Sequence, residues 1–143
     1  MVVKLACSAI GVLTAAALAG AAYGDPVNVP LNQQSDVNGV TVGCTGIGQS
    51  RHNAEWNAFP VRVDFAKPNG HLLADVAVTL SRAGGDTMLE AGCGGPVVLF
   101  KLPPGRYQVQ GRLTGTPNAK PQTATFSAPA SGQTRVVLRF PDA

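Results

Sequence analysis

Beyond its first two dozen residues the chain has no long apolar run and no helical periodicity of useful length, so neither a membrane span nor a helical domain is expected there. It holds only two histidines and three cysteines. No two of them share a short ligand spacing, so the usual metal-site signatures are missing and no cofactor is expected. Gly43, Gly46 and Gly48 lie near a strand pattern, but their order is not Gly-x-Gly-x-x-Gly and no Lys-Ser or Lys-Thr follows. A tight turn is the plainer reading than a phosphate loop. Ser50, His52 and Glu55 supply the residue types of a relay, yet Ser50 and His52 would diverge on a helix. Triads are assembled from distant segments, so this spacing carries no weight. No paired carboxylates, metal set or nucleophile with its base can be picked out, and the chain is expected not to be an enzyme. No repeat recurs at a fixed period. Nucleic acid is not an expected partner.

The first segment reads as an address. Lys4 is a positive n-region, Leu5 to Leu18 is apolar and small, and small residues around Tyr23 run from Ala19 to Gly24. This is the layout of a secretory signal peptide over residues 1–24, cleaved after Ala22 or Gly24. A single-pass anchor is the rival, but the stretch is short, rich in Ala and without a basic stop-transfer flank. Cys7 precedes most of the apolar region, which argues against a lipid-modified cysteine. A periplasmic or secreted protein without a stable membrane span is the expected product.

Removing 24 of 143 residues leaves enough chain for one domain with a modest core. Charge is uneven along it. Residues 25–100 carry four bases and seven acids, whereas residues 101–143 carry six bases and one acid. Within the basic part, Arg106, Arg112, Arg135 and Arg139 alternate outward on strand patterns. They are candidate contacts to an anionic partner, beside the plainer reading of a solvated face. Cys44 and Cys93 remain after cleavage, both flanked by glycine. In an oxidising compartment their simplest state is one disulfide. A metal site with His52 or His71 is the alternative. Trp56 with Phe59 suggests either an aromatic platform for a ligand or the anchor of a short helix.

Strand and turn signals fill the rest. Residues 25–38 are polar, contain Pro26 and Pro30, and read as an irregular arm. Residues 49–57 suit a helical turn or two capped by Ser50. Alternating runs mark Phe59 to Phe65, Leu72 to Leu80 and Gln133 to Phe140. Lys67 to Gly70 and Gly84 to Asp86 read as turns. Leu102 to Val109 reads Leu-Pro-Pro-Gly-Arg-Tyr-Gln-Val. Pro103, Pro104 and Gly105 suit a type II turn, with φ above zero at Gly105. Tyr107, Val109, Gly111 and Leu113 then form the inward face of a strand. Short strands with frequent turns predict an all-β, antiparallel seven-stranded sandwich with a short helical turn, preceded by a signal helix.

Val61 to Phe140 resembles the carboxypeptidase regulatory-like, or transthyretin-like, β-sandwich domains, particularly those of small exported bacterial proteins. The resemblance rests on Gly46-Ile47-Gly48, Phe65-Ala66, Leu73-Ala74-Asp75-Val76, Gly95-Pro96 and Leu102-Pro103-Pro104-Gly105-Arg106-Tyr107. It implies a prealbumin-like Greek key over residues 39–143 and a non-catalytic module. A hydrolase branch of that fold carries a Tyr-Arg-Gly-Ser tail. This chain ends Leu138-Arg139-Phe140-Pro141-Asp142-Ala143, so that activity is not carried over. The expected function is binding of a protein or envelope component through loops or an open sheet edge. Binding of a small ligand or carbohydrate near Trp56 is the alternative, and a transthyretin-related hydrolase the third reading.

Overall fold

The computed structural model describes residues 26–143. The signal segment, 1–24, lies outside the described residues. Ten strands follow in chain order: β1 (Val27–Val29), β2 (Gln33–Val37), β3 (Val40–Thr45), β4 (Val61–Ala66), β5 (Val76–Arg82), β6 (Thr87–Cys93), β7 (Val97–Lys101), β8 (Gly105–Leu113), β9 (Gln122–Ala128) and β10 (Thr134–Arg139). They form two five-stranded sheets, the first ordered β1-β6-β5-β8-β9 and the second β10-β4-β7-β3-β2.

The all-β expectation therefore holds, while the strand count and the pairing are corrected. Ten strands replace seven, and two pairs, β1 with β6 and β10 with β4, are parallel. The stretch 25–38 is not an irregular arm, since it supplies β1 and β2. Its strand signal is weak because both strands lie at sheet edges and bury only Val29 and Val37. Gln33, Gln34 and Asp36 face solvent, so no apolar alternation marks them. The run Leu72 to Leu80 is also shorter than its pattern. Asp75 adopts a φ of 61°, a conformation Asp tolerates better than most residues, and β5 begins only at Val76.

Alternation builds the core. Val61, Val63 and Phe65 of β4 face Val76, Val78 and Leu80 of β5 and Tyr107 and Val109 of β8 in one buried cluster shared by both sheets. Phe65 stacks on Phe140 with centroids 5.7 Å apart. Gly111 lets the sheets approach. A Cβ there would lie 2.5 Å from the Phe65 ring and 2.6 Å from Leu138. Cys44 of β3 and Cys93 of β6 are disulfide-bonded across the two sheets, with Cα atoms 5.6 Å apart. The thiols are thereby removed from the alternative metal set.

The turn before β8 differs in type from expectation. Gly105 does have a φ above zero, but its 157° is far from the roughly 80° of a type II turn. It is already the first residue of β8, opposite Ala128. Pro103 and Pro104 restrict the residues before them to extended conformations, so the chain bends without closing a tight turn. The Tyr107 hydroxyl donates to the Pro103 carbonyl at 2.9 Å and ties the bend to the strand.

Between β3 and β4 the chain forms two 3-10 turns, Gly48–His52 and Ala54–Ala58. They cover the outward face of the second sheet. Ser50 does not cap them by its side chain; its carbonyl instead accepts the Trp56 indole N–H at 2.8 Å. Trp56 packs beside Phe59 over Val97 and Leu99 in a second small cluster. Gly43 leaves room for that indole, since a Cβ there would meet it at 2.8 Å.

Candidate functional site

Asp64 is the most informative polar residue of the fold. Strand alternation puts it on the outward face of β4, yet it is fully buried. Arg62, two residues away on the same face, donates from Nε to Oδ1 at 2.7 Å. Arg135 of β10 donates from Nε to Oδ2 at 2.7 Å, with Nη2 2.5 Å from the same oxygen. The parallel register sets Arg135 opposite Arg62 and Val137 opposite Asp64, which brings both guanidiniums over one carboxylate. A buried charge demands such partners. The pairing fixes both arginines by their Nε edges and leaves Nη1 of each without a protein partner among the described residues.

These two arginines form the floor of a cavity of 430 Å³ that Arg51, His52, Gly70 and Leu72 complete. Arg51 donates from Nε to His52 Nε2 at 3.1 Å, and neither of its Nη groups has a protein partner among the described residues. Three guanidiniums against one carboxylate make the cavity electropositive. A second cavity of 490 Å³ shares Arg51, Gly70 and Leu72 with the first, and is walled by Ile47, Ala74 and Pro96. Together they make one groove between segments 46–52 and 67–74. The second segment begins with the expected turn, in which Gly70 N–H bonds Lys67 O at 2.9 Å. Gly70 takes a φ of 94°, a value side-chain-bearing residues rarely adopt.

The residues singled out in the sequence are distributed differently. Arg106 and Arg112 project outward from β8 in the first sheet, and Arg135 and Arg139 from β10 in the second. The four thus lie on opposite faces and form no single basic surface. Only Arg135 reaches the groove. Trp56 is buried and offers no platform. Pro103, Pro104, Gly105 and Tyr107 serve the bend before β8. Of the suggested relay, His52 is bonded by Arg51 and Glu55 faces Gln34 across 3.5 Å, so the two are not joined. Arg51, Arg62 and Asp64 were not anticipated as site residues. The pattern Arg62-x-Asp64 on one strand face is the signal available for them, but the third member lies 71 residues from Asp64.

Among the described residues no helix is long and apolar enough to cross a membrane. No family model matches the chain, and no curated protein matches it.

Proposed function

We propose that this chain is an exported, non-catalytic β-sandwich module of the carboxypeptidase regulatory-like type, and that it binds an anionic component in the groove between segments 46–52 and 67–74. The observation that carries this is the Arg62–Asp64–Arg135 cluster with Arg51 beside it. Arginine forks match carboxylate and phosphate oxygens, and here two of them are held in place before any ligand arrives. Pre-ordering lowers the cost of binding. The Cys44–Cys93 disulfide is compatible with an oxidising compartment. Processing between Ala22 and Asp25 belongs to the same proposal, and the mass of the protein recovered from the envelope fraction tests it.

Titration with acetate and with inorganic phosphate, followed by NMR of backbone and guanidinium N–H groups, tests the site. Shifts centred on Arg51, Arg62 and Arg135, reduced in Arg51→Gln, are expected. Shifts at Arg106 and Arg112 instead, or none at all, would reject the groove as an anion site.

A second reading has its own observation. β9 is an edge strand of seven residues without charge or proline, and Thr123, Thr125 and Ser127 are exposed along it. Such an edge accepts an added strand from a protein partner. Thr125→Pro would remove a backbone donor there and is expected to abolish that mode of binding while sparing the groove.

A further inference from the structure

The groove is strongly basic at one end and more apolar at the other, where His71 stands among the apolar residues, and this asymmetry narrows the ligand. Among the described residues only three large hydrophobic side chains are well exposed, and one of them, Ile47 at 48 %, stands in this groove. Leu72, Ala74 and Pro96 continue the apolar wall from it, while Arg51 sits at the junction of the two cavities. An inorganic anion would occupy the cavity of 430 Å³ and leave the adjoining 490 Å³ empty. A neutral apolar molecule would leave the guanidiniums unanswered.

We infer that the groove takes an amphiphile with one anionic head, a carboxylate or a phosphate monoester, and an apolar chain. This rests on the anion-binding reading above and adds the chemical class of the ligand to it. The head accepts hydrogen bonds from the Nη groups of Arg51, Arg62 and Arg135. Asp64 holds two of those guanidiniums in register from below, as a positioning residue. The chain lies against Ile47, Leu72, Ala74 and Pro96. The open walls leave part of the ligand in water, so the chain-length dependence should be shallower than full burial gives. Full burial of one methylene corresponds to about a fourfold change in affinity, from about 0.8 kcal/mol.

Calorimetric titration of the wild-type protein with acetate, hexanoate and decanoate, and with hexyl and decyl phosphate, all below their micelle concentrations, tests this. Affinity is expected to rise about two- to threefold per methylene from hexanoate to decanoate. Ile47→Ser, at an exposed position, should flatten that rise and leave acetate binding unchanged. Arg51→Gln, which leaves the Asp64 cluster intact, should weaken every member of the series. Whichever of decanoate and decyl phosphate binds more tightly identifies the head within the proposed class. Binding of short anions without any gain from chain length would overturn the amphiphile and keep the anion site. Failure of all the anions would overturn both. Decanol binding as tightly as decanoate would overturn recognition of the head. An apolar tripeptide with a free carboxyl end, binding more tightly than decanoate, would assign the groove to a peptide terminus instead.

Discussion

Single side chains decide how tightly this fold closes. The Tyr107 hydroxyl is the only polar part of a buried ring, and it donates to Pro103 O at 2.9 Å. Tyr107→Phe keeps the stack on Phe126 and loses that bond, so unfolding in urea should show a loss of about 1 kcal/mol. Gly111 is a stricter case. Its φ is ordinary, and the space is what forbids a side chain. Gly111→Ala drives a methyl into Phe65 and Leu138, and the stability loss should reach about 1–3 kcal/mol, the range for overpacked cores. A neutral result would mean that the sheets can separate without penalty at β8. Both positions were visible in the sequence as members of an alternating run. The reason for glycine at 111 was not, because its neighbours come from β4 and β10. Asp64 shows the same limit more sharply. Alternation correctly puts it on the outward face of β4, and outward normally means solvent. Its burial follows from Arg135, brought over it by a parallel pairing that no local pattern encodes.

Elements with one clearly apolar face were legible, and those without were not. β8 and β10 alternate cleanly because each has the shared core on one side and water or arginine on the other. β1 and β2 carry little sequence signal because β1 is only three residues, Val-Asn-Val, and β2 is Gln, Ser and Asp up to Val37, so each buries one valine and is otherwise placed by backbone pairing with β6 and β3. The covering turns 48–58 were anticipated as helical, but their role as a lid over Gly43, Val97 and Leu99 required the fold. The disulfide ties β3 to β6 across the two sheets. The Cys44–Cys93 bond spans 49 residues of sequence, and closing such a loop in the unfolded chain stabilises the fold by about 4 kcal/mol on the chain-entropy model. The protein denatured without reductant should therefore show no thiol at Cys44 or Cys93. Cys44→Ala with Cys93→Ala should lower the denaturant midpoint by an amount of that order. Stoichiometric labelling of both cysteines in the unreduced protein would remove the bond from the account.

At the scale of the whole molecule, the excess of base in the last third of the chain has no single address. Strands β8 and β10 belong to different sheets, and their arginines leave the molecule in opposite directions. Packed sheets are about 10 Å apart, and outward side chains add further distance on each side. The separation thus exceeds the screening length of about 8 Å at physiological ionic strength. Arg106 and Arg112 should then contribute almost nothing to the potential inside the groove, although they carry the same charge as Arg51 and Arg135. On the proposed reading, local geometry and not net charge is what draws an anion to the groove. Two double variants separate these ideas. Arg106→Gln with Arg112→Gln should leave the decanoate affinity within twofold of wild type in 0.15 M salt. Arg51→Gln with Arg135→Gln should weaken it at least tenfold, because each lost guanidinium removes a charge-assisted hydrogen bond of roughly 1.5–3 kcal/mol. The melting temperature of each variant, measured alongside, identifies any loss that comes from unfolding. Equal weakening by both pairs, fading together as salt is raised, would mean that the long-range field of the molecule attracts the ligand and that the Arg62–Asp64–Arg135 cluster is only a structural ion pair.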